Sequence, residues 1–490
     1  MWMQAAGLQR LKGATEEQIM FNSGKVGSAS SSKSAVRVSI LLTLLVFGLL
    51  RFTAIMVVHA QTASDPGVRG GPPGAGNWFT NLTPLEEGEF QILFSNFVEQ
   101  EEVTTGGGGD VLRTGLGPRF DSNSCNSCHA YPAVGGSSPP QNQLFSVYQL
   151  NGAKNEMPFF ETPNGPTLVA RFPFQTDLKT PDGHVHALFV ITGRSDAGAC
   201  NIAQPDFVTA AATNNLIFRN TTPTFGGGML EVIKNSDLIN NGLAVCNSSQ
   251  NQGVCGHPNL QPDGSVGRFG WKAQNRSLLT FSAEAYNVEE GVTNLFFPNE
   301  IDETPGCVLN PLPEDQINFD PTVPPKMFPG DPERFAITMR FMAPPAPGTC
   351  PGGNAGSCTN GLVQFTNVGC ALCHTQSFTT PPHVITPLSN AQAFLYSDVL
   401  VHHMGPCNAD NVAQGSAAGD EWRTTPLWGI GQRVFFMSDG RTSDIVQAIE
   451  DHSCAGNSQY PASEANQVIT NFNALSAENQ QDLINFLRSL

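Results

Sequence analysis

Charge is scarce in this chain, and positive charge is scarcest. Only 14 % of the 490 residues are Asp, Glu, Lys or Arg, and 25 basic side chains stand against 42 acidic ones, a formal net charge of −17. Beyond residue 60 the imbalance sharpens to 19 basic against 40 acidic groups. An acidic surface repels phosphate backbones and anionic lipid, which argues against nucleic-acid and membrane-surface binding; it suits a basic redox partner. No tandem repeat is evident, so a solenoid or propeller is not indicated. The glycine run at 106–109 is followed by no lysine and no helix start, so it reads as a loop and not a phosphate cradle.

Glycine (49) and proline (36) are plentiful and 40 % of residues are hydrophobic, the mix of a globular chain with a sizeable core and long loops. The one long apolar run, Val38 to Val58, follows Lys33 and Arg37, and Val58-His59-Ala60 offers the small residues that a signal peptidase reads. The run is also long enough to span a bilayer, which keeps an uncleaved anchor as the competing reading. Either way the bulk of the chain is expected outside the cytoplasm, in the periplasm or otherwise exported, with any membrane contact made through that segment. Residues 1–60 are thus signal peptide or N-terminal anchor, and the Gly/Pro-rich residues 61–82 a flexible linker. Thr83-Pro84-Leu85-Glu86 has the pattern of a capping box and predicts a helix with Phe90, Leu93, Phe94 and Phe97 on its apolar face. A second helix is predicted after Ser476, with Leu483, Ile484, Leu487 and Leu490 on one face and Phe486 off it. Between about residues 140 and 345 the pattern is irregular.

The chemistry lies in the cysteines. Cys-x-x-Cys-His occurs twice, as Cys125, Cys128 and His129 and as Cys370, Cys373 and His374. This spacing attaches c-type haem: the two thiols form thioethers with the haem vinyl groups and the adjoining His reaches the iron. A structural zinc site needs four ligands, often with a second close cysteine pair nearby, and neither copy has one. A thioredoxin-like pair belongs in a βαβ context, and none is visible. Two covalently bound haems c are therefore expected. Eight cysteines remain, an even number that in an exported protein points to disulfides. Nearness pairs Cys246 with Cys255 and Cys350 with Cys358; Cys407–Cys454 and Cys200–Cys307 are what is left.

The chain resembles the di-haem oxidoreductases related to bacterial di-haem cytochrome c peroxidases. The matching segments are GLGPRFDSNSCNSCH at 115–129, GRFGWKAQ at 267–274, EEGVTN at 289–294, FTNVGCALCHT at 365–375, SDVLVHHMGP at 397–406, EWRTTPLWGIG at 421–431 and SDGRTSDIVQAIEDH at 438–452, in the family's order. The resemblance implies a mainly α fold with long irregular loops. It implies two cytochrome c-like haem domains, here 83–345 with a loop-rich insertion and 346–490. It also implies a second haem that relays electrons from a small redox protein to a reactive first haem. Relatives hold a calcium ion between the domains; no ligand run for it stands out, though backbone carbonyls would leave no trace.

What lies opposite each motif histidine decides the haem's work, since a strong sixth ligand favours electron transfer and an open position permits peroxide or oxygen chemistry. For the second haem His452 lies on the helical stripe Ile445, Ala448, Ile449, with Met404 as rival; His402 or His403 reads equally as a structural hydrogen-bonder. For the first haem no histidine follows until His184 and His186, both in a loop, so its distal face is expected to be open. Glu289, with Glu290 as rival, falls near the relatives' distal acid, and Trp271 resembles the aromatic between their haems. Tyr286 is a candidate for the distal pocket, and Arg423 and Trp428 are expected to pack around the second haem, Arg423 on a propionate. One departure stands out: Ser438 occupies the place where family members carry a His before Asp-Gly-Arg. The functional expectation is a peroxidase-like oxidoreductase acting on peroxide. A non-catalytic electron-transfer cytochrome and a haem-dependent oxygenase are the alternatives.

Overall fold

A computed structural model describes residues 63–103, 115–302, 304–307, 318–319, 327–328 and 330–490. The signal or anchor segment and the glycine run at 106–109 lie outside them. Among the described residues there are eleven α-helices and five two-stranded antiparallel sheets, and helix makes up only 32 % of the structure. The expectation of a mainly α fold is corrected to this mixed content. The reason is compositional: glycine and proline interrupt helices and favour turns. No described helix is long and apolar enough to cross a membrane.

The helix Pro84–Phe97 starts as its sequence predicts. Thr83 accepts the Glu86 N–H, and Glu86 accepts the Thr83 N–H at 2.8 Å. Its buried Phe90, Leu93 and Phe97 face the helix Asp331–Phe341, where Phe97 meets Phe335 edge-on at 6.4 Å. The helix Leu278–Glu289 joins the same core, with Tyr286 edge-on to Phe335 at 5.2 Å. A second core gathers around the paired strands Arg119–Phe120 and Phe189–Val190, with Leu188 and Ile191 fully buried beside them. A third is formed where the C-terminal helix Ala477–Ser489 lies against Ala355–Val368, the helix that leads into the second Cys-x-x-Cys-His.

The C-terminal helix is buried on more than the predicted stripe. Phe486, expected off the apolar face, is 5 % exposed and packs edge-on against Phe365 at 5.5 Å and Tyr396 at 5.7 Å. The two helices approach closely enough that a Cβ on Gly361 would lie 2.0 Å from the Asp482 carbonyl. The segment expected as a flexible linker is bound along the body instead. Asp65 accepts Arg488 Nε at 2.8 Å and the Ile445 N–H at 2.9 Å, and Phe79 and Leu82 are buried. Prolines and glycines permit such an extended path, and these few anchors hold it. All four disulfides form with the partners expected by nearness and elimination: Cys200–Cys307, Cys246–Cys255, Cys350–Cys358 and Cys407–Cys454.

Gly361→Val forces the helix pair apart, and overpacking of this kind costs about 1–3 kcal/mol. A lowered midpoint in thermal unfolding, with secondary structure retained, is the expected outcome.

Candidate functional site

The first Cys-x-x-Cys-His sits on a one-turn helix, Cys125–Cys128, with His129 just past its end. A backbone clasp brings a second segment against it. The Glu289 carbonyl accepts the N–H groups of Asp121 at 2.7 Å and Ser122 at 3.2 Å, and the Glu290 carbonyl accepts the Gly117 N–H at 3.0 Å. The clasp requires glycine on both sides. A Cβ on Gly117 would lie 2.1 Å from the Gly291 carbonyl oxygen, and Gly291 itself has φ +73°. A cavity of about 840 Å³ results, lined by all three motif residues and by Glu289 and Glu290.

One wall of this cavity is polar. Glu289, at the end of its helix, is pushed up to about 7 by burial, with Arg171 pulling the other way. Burial likewise raises Glu290 to about 8, although Cys125 Sγ donates to its Oε1 at 3.2 Å. His129 Nδ1 lies 3.3 Å from the Gly136 carbonyl, and burial lowers the ring to about 4, so it is neutral. Among the described residues the cavity wall carries no His apart from His129 and no Met; His184 and His186 do not line it. Tyr286, a candidate for this pocket, is turned away, with its hydroxyl 3.1 Å from Glu101 Oε1 and 3.3 Å from Asp331 Oδ2.

The second motif lines a larger cavity of about 1360 Å³ whose wall is mostly aliphatic and aromatic. Three imidazoles line it, and two of them rest Nδ1 on a backbone carbonyl. His374 Nδ1 lies 2.9 Å from the Tyr396 carbonyl and His452 Nδ1 lies 2.7 Å from the Ala448 carbonyl. A carbonyl can only accept, so both Nδ1 atoms carry the proton and both Nε2 lone pairs are left for a metal. Burial keeps both rings neutral, His374 at about 4. Met404, the rival ligand, lines the same cavity, as does Ser438. His402 is excluded as a ligand, because Asp398 Oδ2 at 3.0 Å and Glu464 Oε2 at 2.8 Å take both its nitrogens. His403 is likewise held between Asp420 and Glu421.

Trp271 lines both cavities. Its Nε1–H donates to the Asn220 carbonyl at 2.7 Å, its own carbonyl accepts the Arg423 N–H at 2.9 Å, and Trp422 stands edge-on at 6.1 Å. Arg423 is buried and opens on the second cavity and on a smaller one of about 510 Å³ beside it. Trp428, expected around the second haem, lines that smaller cavity and not the second one. Sequence reasoning missed Arg433, which also opens on both. It also gave no role to Asp121 or Arg171 on the first cavity; Asp121 lay within a matching segment, but nothing in the residue pattern marked it.

A family model described as "Di-haem oxidoreductase, putative peroxidase" matches residues 188–490, and the chain belongs to this di-haem oxidoreductase family. The match contains the second Cys-x-x-Cys-His and begins after the first. Comparisons with curated proteins and with solved structures found no match. The cavities suit the two haems that the family name implies. Cys125, Cys128, Cys370 and Cys373 remain free thiols while the other eight cysteines are paired. Each free pair shares a cavity with a neutral imidazole. Arg423 and Arg433 face the second cavity with no carboxylate in ion-pair distance among the described residues, as a haem propionate would require.

Glu289 and Glu290 are acids whose pKa is higher folded than unfolded. The folded state therefore holds more protons between the two values, and stability falls as pH rises from the ordinary Glu range through about 7 and about 8. Denaturant midpoints measured across this window are expected to decline in the wild type. The decline should be shallower in Glu289→Gln and in Glu290→Gln.

Proposed function

We propose that this chain is an exported di-haem c-type oxidoreductase with two cytochrome c-like haem units, which reduces peroxide in the first cavity with electrons relayed through the second. The observation that carries this reading is the contrast between the cavities. The first is acidic and has one imidazole on its wall; the second is apolar and has two imidazoles, those of His374 and His452, that no described carboxylate holds. When bound, haem supplies an iron centre that changes redox state and, where an axial position is open, takes up peroxide or oxygen.

The chain's own residues have separable tasks. Cys125 and Cys128, and Cys370 and Cys373, bond to the haem vinyl groups. His129 and His374 would hold the iron of each haem when it is bound. His452 supports a closed second site better than Met404, because its Nδ1 is fixed on a carbonyl while Nε2 is free. Glu289 is the group to move a proton between the two oxygens of peroxide: it lines the first cavity, and a value near 7 suits both taking up and releasing a proton. Glu290 is less suited, since burial raises it further, to about 8, against about 7 for Glu289. Trp271 bridges the two cavities and supports electron transfer between them. Arg423 and Arg433 hold propionate charge. Four disulfides support an oxidising, exported location, and the acidic surface supports a small basic redox protein as electron donor.

Optical and paramagnetic resonance spectra of the purified holoprotein test this. One high-spin haem that shifts on adding cyanide, beside one low-spin haem that does not, is the expected result. Two low-spin haems that ignore cyanide, both as isolated and after partial reduction, would make the chain an electron carrier only. His452→Ala should open the second haem to cyanide. Glu289→Gln should lower peroxide turnover about 10²-fold with haem content unchanged.

A further inference from the structure

One buried acid of the first cavity has an oxygen with nothing to bond. Asp121 is 3 % exposed; its Oδ1 accepts the Leu188 N–H at 2.8 Å, and its Oδ2 has no hydrogen-bond partner. It lines the same cavity as Glu289 and is tied to it through the 2.7 Å backbone bond. Ser122 and Ser124 on the same wall also carry unpartnered hydroxyls. The charged groups facing Asp121 are Glu289, Glu161 and Arg171. Burial, with the two carboxyls, outweighs the Leu188 N–H and the Arg171 guanidinium and holds it well above the usual carboxylate range. A carboxylate there would leave a buried charge uncompensated, whereas a carboxylic acid on this wall carries an O–H that no described residue accepts.

We propose that Asp121 is a second catalytic acid of the first cavity, donating through Oδ2 one of the protons that peroxide reduction consumes. The proposal rests on the peroxide reading given above. Reduction of hydrogen peroxide breaks the O–O bond and takes up two electrons and two protons to give two waters. Glu289 moves a proton from one oxygen to the other and returns to its starting state, so the first water leaves with no net uptake. The remaining oxygen takes both electrons, which come from a reduced redox-protein donor, and two protons. Asp121 supplies one and Glu289 the other, and both are refilled from solvent.

The test uses holoprotein with hydrogen peroxide and the one-electron donor ABTS. Asp121→Asn keeps an oxygen for the Leu188 N–H and is expected to lower kcat about 10²-fold. KM for peroxide should stay unchanged and the pH profile should lose its alkaline limb, with Asp121→Glu restoring part of the rate. A merely structural role would not move the pH profile in this way. Infrared difference spectra with and without cyanide supply a readout apart from activity. In Glu289→Gln protein a protonated-carboxyl band should respond to cyanide, and it should vanish when Asp121→Asn is added. A wild-type rate and pH profile in Asp121→Asn, or no such band in Glu289→Gln protein, overturns the role of Asp121 alone. A wild-type protein that does not turn over peroxide overturns the peroxide reading, and this proposal with it.

Discussion

The clasp between Gly117–Ser122 and Glu289–Gly291 is the constraint on which the first site depends. Its bonds are backbone to backbone, so they hold whatever side chains the segments carry, and they work only because two glycines let the chains touch. The clasp uses carbonyls at the end of the helix Leu278–Glu289, which have no partner within the helix. Through them one helix end places Glu289 and Glu290 on a motif more than 150 residues earlier in the chain. The glycines of GLGPRF and EEGVTN thus have a steric reason, and the acids beside them a chemical one.

Burial acts differently in the two cavities. In the first it meets carboxyl groups and drives them toward the protonated form. In the second it meets imidazoles and drives them toward the neutral form, which makes lone pairs available for a metal. The same desolvation cost therefore gives an acidic cavity and an apolar one with neutral imidazoles. Beside the second cavity His402 lies between Asp398 and Glu464, and Lys272 lies against Asp410 at 3.1 Å with its Nζ 4.3 Å over the Trp422 ring, whereas Arg423 and Arg433 have no carboxylate in ion-pair distance among the described residues.

The scaffold that holds these cavities has little regular structure. Short helices and two-residue strands bury limited surface of their own, so long-range ties do much of the work. Cys200–Cys307 joins segments 107 residues apart, and Asp65 ties the start of the described chain to Arg488, two residues from its end. The disulfide restricts the unfolded chain, more so the longer the loop it closes, whereas the ion pair acts in the folded chain alone.

The local features were legible in the sequence because they depend on near neighbours. The haem motifs, the Thr83 capping box, the C-terminal helix and the two short-range disulfides follow from spacing alone, and the seven matching segments pointed to the family. Glu289, Trp271 and His452 came from the resemblance, and the fold sets each of them on a cavity wall. What the sequence could not determine depends on distant contacts. Whether residues 63–82 hang free or lie bound was decided by Arg488 and by buried Phe79 and Leu82. Phe486 fell off the helical stripe yet is buried, because a neighbouring helix with Gly361 covers a second face. Tyr286 left the first cavity for Glu101 and Asp331, and Asp121 entered it, through packing that no periodicity encodes. A sequence specifies which groups are present and their local geometry; which of them share a desolvated cavity, and so which proton or lone pair is available, is set only when remote segments close around it.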